Sequence, residues 1–200
     1  MSGNNEEEEL DLNIKAILIG ESGVGKTNLI NVTVDKPFNP KETPTNSSCY
    51  VVKSFKIDSH VFNINLWDTA GQEAYRGMIK LFYKNANIVI FVYDITCKDT
   101  FKLLKEYWIK EAEENLGDKA TYAIVGNKND LFTKENISEQ EVRAFAESKN
   151  MKFRLVSAKN DPKLFVNFLE ELLKDSKPFL VAQETINLRN KKKNAHHCKC

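Results

Sequence analysis

The eight residues Gly20–Thr27, GESGVGKT, carry the densest chemistry in the chain. They fit the spacing G-x-x-x-x-G-K-[ST]. They follow an apolar run, Ile14–Ile19, and open a helical stretch from about Lys26, which is the setting this spacing requires. The glycines let backbone N–H groups over Ser22, Gly23, Val24 and Gly25 converge on phosphate oxygens, and the helix N-terminus adds favourable partial charge. Lys26 is expected to reach the β- and γ-phosphates of a nucleotide, the Thr27 hydroxyl to ligate Mg²⁺, and Asn28 to complete the phosphate-side set. The plain alternative is a chance Gly-rich turn.

Three further motifs follow in order. In WDTAGQE, Trp67–Glu73, Asp68 ends a strand, where a carboxylate can hold a water on the metal. Gly71 allows close backbone approach to a γ-phosphate, and Gln72 can orient an attacking water. In NKND, Asn127–Asp130, a carboxylate placed like Asp130 can accept both N1–H and N2–H of guanine, a donor pair that adenine lacks. The stem of Lys128 can lie along the base. In SAK, Ser157–Lys159, a backbone N–H such as that of Ala158 can bind the guanine O6; three residues alone say little, but their position after a strand adds weight.

The elements that must position these residues are legible as well. Apolar runs at Ile14–Ile19, Tyr50–Ile57, Val61–Leu66, Ile88–Tyr93, Tyr122–Val125 and Phe153–Val156 read as strands. Asp58–Ser59 joins the second and third. Helical spacing runs over Phe101–Leu116; Ser138 with Glu141 three positions on fits a capping box. Asp161–Pro162 opens a last helix to about Lys174, with Asp as cap and Pro in its first turn. Alternating strands and helices imply an α/β domain with a six-stranded, mostly parallel sheet flanked by helices. Residues 1–12 read as an acidic disordered N-terminus around Glu6–Glu9, residues 13–175 as the domain, and 176–200 as a polar tail with a basic run, Lys191–Lys193.

Composition narrows the classes. The net charge is +1, which gives no case for a nucleic-acid partner. Cys49 and Cys97 are far apart and show no metal-ligand spacing, Cys198 and Cys200 sit at the extreme C-terminus, and the four form no disulfide framework, so a reducing compartment is expected. The N-terminus lacks a signal-peptide pattern, Ser2 excludes N-myristoylation, and no apolar run is long enough to span a bilayer.

Over roughly Asn13–Lys174 the chain resembles a Ras-superfamily small GTPase, with a P-loop, Ras-like G domain as the implied fold. It resembles the Rab branch most, through Trp67, the run FYKNANIVIFVYDIT (Phe82–Thr96), Trp108 and the terminal CKC. The tail is not a C-a-a-X box, and the segment after NKND is too short for a Rho-type insert helix. The resemblance implies a slow, monomeric GTP hydrolase that binds GTP or GDP with Mg²⁺. It also implies an exchange factor, a GTPase-activating protein, a dissociation inhibitor and effectors as partners.

The resemblance also places a metal-binding switch threonine at Thr45, nineteen residues after Lys26 and twenty-two before Trp67, and leaves Thr43 without a role. It puts Phe38 against the guanine, with a simple core contact as the alternative. Cys198 and Cys200 match a double geranylgeranylation site, and two chains are what stable anchoring needs. A metal-binding HHCKC tract is the alternative there. The implied location is the cytoplasmic face of an endomembrane or plasma membrane, with a cytosolic pool.

Departures from the family pattern cluster in one loop. Asn46–Cys49 stands where Rabs carry Ile-Gly and an apolar position, Glu42 where many have Tyr, and Ala74 where Arg is usual. A loop with fewer apolar contacts opens more readily, so a mobile switch is expected with GDP bound. The alternative function is a weakly cycling, nucleotide-dependent binding module; an ATPase or kinase is disfavoured by Asp130.

Overall fold

In β1 (Asp11–Ile19), Leu12, Ile14, Ala16 and Leu18 enter one apolar core, while Ile17 and Ile19 enter another. A strand buried on both faces has to be covered on both sides, and this sets the architecture. The structure is a computed structural model that describes residues 11–43, 45, 49–69, 76–176 and 180, with residues 49 and 76–79 described by backbone alone. After β1 come α1 (Lys26–Thr33), β2 (Cys49–Ile57), β3 (His60–Asp68), α2 (Arg76–Tyr83) and β4 (Ile88–Asp94). One continuous helix follows, made of α3 (Lys98–Leu103), a π-wound turn (Leu104–Trp108) and α4 (Ile109–Leu116). The chain then forms β5 (Thr121–Asn127), α5 (Glu139–Ser148), β6 (Lys152–Leu155) and α6 (residues 162–176).

The described strands form one sheet in the order β2-β3-β1-β4-β5-β6. Only the β2–β3 pair is antiparallel; Asp58, at φ 53°, supplies the left-handed residue in its tight turn. The chain leaves β1 for β3 on one side and later returns to β4 on the other. The crevice outside the carboxyl ends of β1, β3 and β4 is therefore the topological switch point, where open α/β sheets take their ligands.

α1 and α6 cover one face, with Leu29, Phe165, Phe168 and Leu172 packed on Ala16, Leu18, Ile90 and Val125. The continuous α3–α4 helix, α5 and the end of α2 cover the other, where Phe101, Leu104, Trp108 and Val142 meet Ile17, Phe91 and Ile124. Each such side chain, fully buried, stabilises the fold by about 1.5–3 kcal/mol relative to exposure. In β3 buried and half-buried residues alternate strictly. The half-buried positions, including Asn65 and Trp67, lie on a face that the helices leave partly open.

Two boundaries differ from the sequence reading. The strand begins at Asp11, so Asp11 and Leu12 belong to the sheet, paired with Val61 and Phe62, rather than to an acidic tail. Leu12 is buried at the end of the even-numbered apolar row, which the polar neighbours Asp11 and Asn13 disguise. At the other end α6 runs to residue 176, with Ser176 buried and bonded to Thr121, and Leu180 packs into the core. The folded domain therefore extends past residue 175. The long helix begins at Lys98 rather than Phe101, and its π turn has no sequence signature.

Candidate nucleotide and metal site

A cavity of about 400 Å³ opens at the switch point, between the β1–α1 loop and the loops that follow β5 and β6. Its phosphate end is shaped by two glycines. Gly25 caps α1 at φ 96°, and a Cβ there would collide with the Asn127 side chain; a Cβ at Gly20 would overlap the Val92 carbonyl. The loop is thus pressed against β4 and β5 by residues that only glycine allows. Lys26 is buried and curls back, donating from Nζ to the carbonyls of Gly20 at 2.7 Å and Glu21 at 2.9 Å. Burial pushes its pKa down to about 8, against the pull of the Asp68 and Glu21 carboxylates. A buried ammonium facing an open cavity is a strong site for anionic oxygen.

The metal end joins three chain segments. The Thr27 hydroxyl donates to Asp68 Oδ2 at 2.8 Å, the Thr45 hydroxyl donates to the same oxygen at 3.2 Å, and the two hydroxyls lie 2.9 Å apart. Asp68 is buried, and its other oxygen, Oδ1, has no hydrogen-bond partner among the described residues. Burial raises the Asp68 pKa; the Thr27 hydroxyl, Lys26 and the Thr45 hydroxyl oppose that rise, while Glu42 adds to it. An orphaned buried carboxylate oxygen beside two hydroxyls is a hard, all-oxygen donor set, and it fits Mg²⁺ held jointly by protein and phosphate. Among the described residues no group of three His, Cys, Asp or Glu offers another metal site.

The base end is built from hydrogen bonds within the protein. Asn127 donates from Nδ2 to the Val24 carbonyl at 2.8 Å and accepts the Ala158 N–H at 3.3 Å, tying three loops together. Lys128 takes a left-handed φ of 68°, and its ammonium pairs with Asp94 at 2.7 Å. Asp94 in turn accepts from Thr96 N–H and hydroxyl. Asp130 accepts from the Ser157 hydroxyl at 2.7 Å, and Asn129 N–H donates to Val156.

The structure brings most of the sequence-predicted residues to this one cavity. Ser22, Gly23, Gly25, Lys26, Thr27, Asn28, Phe38, Thr45, Asn127, Lys128, Asp130, Ala158 and Lys159 line it. Val24 and Ser157 stand behind the wall. Phe38 both lines the cavity and packs on the core, so the two readings of it are compatible. Asn28 also grips Asn39 through two bonds, which fixes the start of the following loop. Thr43 lines the cavity as well, yet only Thr45 touches Thr27 and Asp68. Gly71, Gln72, Ala74, Asn46–Ser48, Cys198, Cys200 and both charged tails lie outside the described residues.

Sequence reasoning missed three supports. Asp94 holds Lys128; its place at the end of the Ile88–Asp94 strand was the available signal. Thr69 donates to the Leu18 carbonyl at 2.6 Å and locks the end of β3 to β1. Trp108, from the π turn, donates from Nε1 to Glu21 Oε1 at 2.8 Å, so the long helix grips the phosphate loop directly. No local pattern announces that contact, which spans 87 residues. Beside the site, Tyr50 stacks on Trp67 at 4.8 Å, and Phe82 flanks Trp67 at 5.9 Å.

A Gly-rich loop between the central strand and its helix, at the switch point of this sheet, defines a P-loop nucleotide-binding domain of the Ras-like G-domain type. The sequence model of the Ras family matches residues 15–176. The chain is 35% identical over 173 residues to human Ras-related protein Rab-30, covering 85% of each chain. It is 37% identical over 167 residues to Ras-related protein Rab-21 of Geodia cydonium, covering 82% of this chain and 72% of that protein. The bovine Rab-21 is likewise 37% identical, over 156 residues. The chain belongs to the Ras family and is a Rab-type small GTPase.

Proposed function

We propose that this GTPase is a GTP/GDP switch of intracellular membrane traffic, attached to membranes through geranylgeranylated Cys198 and Cys200. The observation that supports it best is the Thr27–Thr45–Asp68 cluster, which ties the phosphate loop, the loop after α1 and the end of β3 at one point. A bond network that one small ligand can complete or release is what a switch requires. Asp130 and the Ala158 N–H read guanine; Lys26 neutralises charge at the β- and γ-phosphates. Thr27, Thr45 and, through water, Asp68 hold Mg²⁺, which when bound neutralises charge on the phosphate oxygens. Gln72 orients the attacking water, and the Gly71 N–H contacts the γ-phosphate. Ser22 is small enough to leave room for a catalytic group from an activating protein. The Lys191–Lys193 run adds attraction to anionic lipid on the cytoplasmic face. Exchange factor, dissociation inhibitor and effectors act on the loops and the tail.

The weakly cycling module is the alternative, favoured by Asn46–Cys49 in place of the family's apolar residues. Single-turnover GTP hydrolysis, with and without Mg²⁺, separates the two. Slow Mg²⁺-dependent phosphate release, abolished by Gln72→Leu, is expected. Undetectable release with intact GTP binding would replace the switch by the module.

A further inference from the structure

A second and larger cavity, about 1100 Å³, shares no lining residue with the first. It runs along the first half of β1, the ends of α2 and α4, and the half-open face of β3. Among the described residues that line it are four lysines, Lys15, Lys80, Lys84 and Lys119, and five asparagines, with no carboxylate. None of the four lysines has a carboxylate partner among the described residues. Lys15 donates to the Lys84 carbonyl and lies 5.0 Å over the Trp67 ring. Such a cluster repels itself until an anion enters.

We propose that this cavity docks the chain's own acidic segment, Glu6–Glu9. The charges match: four consecutive glutamates against four lysines that have no carboxylate partner among the described residues. The connection matches too. Residues 1–10 lie outside the described residues, but β1 begins at Asp11, and its next residues, Leu12–Lys15, form the cavity wall. At about 3.5 Å per residue, an extended chain lets Glu9 to Glu6 reach at most about 7–18 Å from Asp11, which covers the near part of the cavity around Lys15. A tether this short holds the glutamates at roughly millimolar effective concentration, so weak contacts suffice.

The test compares amide NMR spectra of the full chain as purified with those of a chain lacking residues 1–9. Truncation is expected to shift the amides of Lys15, Lys84, Asn87 and Lys119. A synthetic peptide of residues 1–10 should move them back at millimolar concentration, about tenfold more weakly when salt is raised from roughly 0.05 to 0.5 M. The same peptide with Glu6–Glu9→Gln should not. The full chain carrying Lys84→Glu and Lys119→Glu should resemble the truncated one. Shifts confined to Asp11–Asn13, an equal response to the Gln peptide, or peptide-induced shifts around Lys191–Lys193 instead would each overturn the proposal. So would shifts that depend on protein concentration, which would assign the cavity to a second copy of the chain.

Discussion

The two ends of the nucleotide cavity are built on opposite plans. At the base end every functional side chain is already held by the protein: Asn127 by Val24 and Ala158, Lys128 by Asp94, Asp130 by Ser157. At the metal end the side chains of Thr27, Thr45 and Asp68, among the described residues, hold only one another, and one oxygen of Asp68 is left without a partner there. A fully bonded site keeps its shape whatever occupies it, which suits recognition of a base common to both nucleotides. A site with an unsatisfied buried oxygen reaches its lowest energy only with a ligand, so it registers what is bound. The loop that carries Thr45 makes few other contacts: residues 39–43 are exposed, and Asn28 anchors only their start.

The largest expected effect tests the base end. Asp130→Ala removes the acceptor for two guanine donors and leaves the Ser157 hydroxyl unpaired. Loss of GDP affinity of at least about 100-fold is expected, with ATP binding unchanged, because discrimination by buried paired hydrogen bonds is the strong kind. Competition of labelled GDP by GTP and ATP measures it. Retained GTP preference would mean that the base is read elsewhere.

Next comes the metal end. Asp68→Ala removes the orphaned oxygen and the acceptor shared by both threonines. A charged contact of this type contributes about 2 kcal/mol, or roughly 30-fold in affinity. Nucleotide release should quicken by about that factor and lose its response to chelation by EDTA. A variant that still responded to EDTA would show that the metal sits away from Asp68.

How far the sequence reaches follows the same division. The candidate ligand-binding residues lie in short, locally spaced motifs, and described residues of all four motifs border the cavity, while Gly71 and Gln72 lie outside the described residues. The residues that hold those residues do not. Asp94 reaches Lys128 across the ends of two adjacent strands, and Trp108, the last residue of the π turn, reaches Glu21 across 87 residues of sequence. Both depend on tertiary placement that no local period encodes. The ends of the domain were hidden for a related reason. Leu12 stands between the polar Asp11 and Asn13, and Leu180 lies two residues beyond Pro178, past the expected end of the helical pattern, so only the packed core shows that they belong to it.

Trp108→Phe turns that lesson into a measurement of intermediate size. It keeps most of the buried ring and removes the N–H that holds Glu21. The hydrogen bond to a carboxylate is worth about 1.5 kcal/mol, so GDP should dissociate roughly tenfold faster, with a modest fall in Tm. Glu21→Gln keeps an acceptor for the indole and should stay close to wild type. If both variants lowered Tm alone and left dissociation unchanged, the contact would serve the fold and not the phosphate loop.

The smallest effect sharpens the comparison most, because it separates two threonines on one loop. Thr43 and Thr45 are near neighbours and both border the cavity, yet only Thr45 reaches Asp68 and Thr27. Losing one hydroxyl from a shared network costs about 1 kcal/mol, or roughly fivefold. Thr45→Ala should weaken Mg²⁺-supported binding of a non-hydrolysable GTP analogue by about that factor and leave GDP affinity within twofold. Thr43→Ala should change neither. The amides of Glu42, Thr43 and Thr45 should exchange rapidly with GDP bound and slow with the analogue, and Thr45→Ala should abolish that difference. Equal losses from both threonines, or strong amide protection across residues 42–48 with GDP, would show that the loop is held by something other than the Thr45 hydroxyl. The metal end would then be as preformed as the base end.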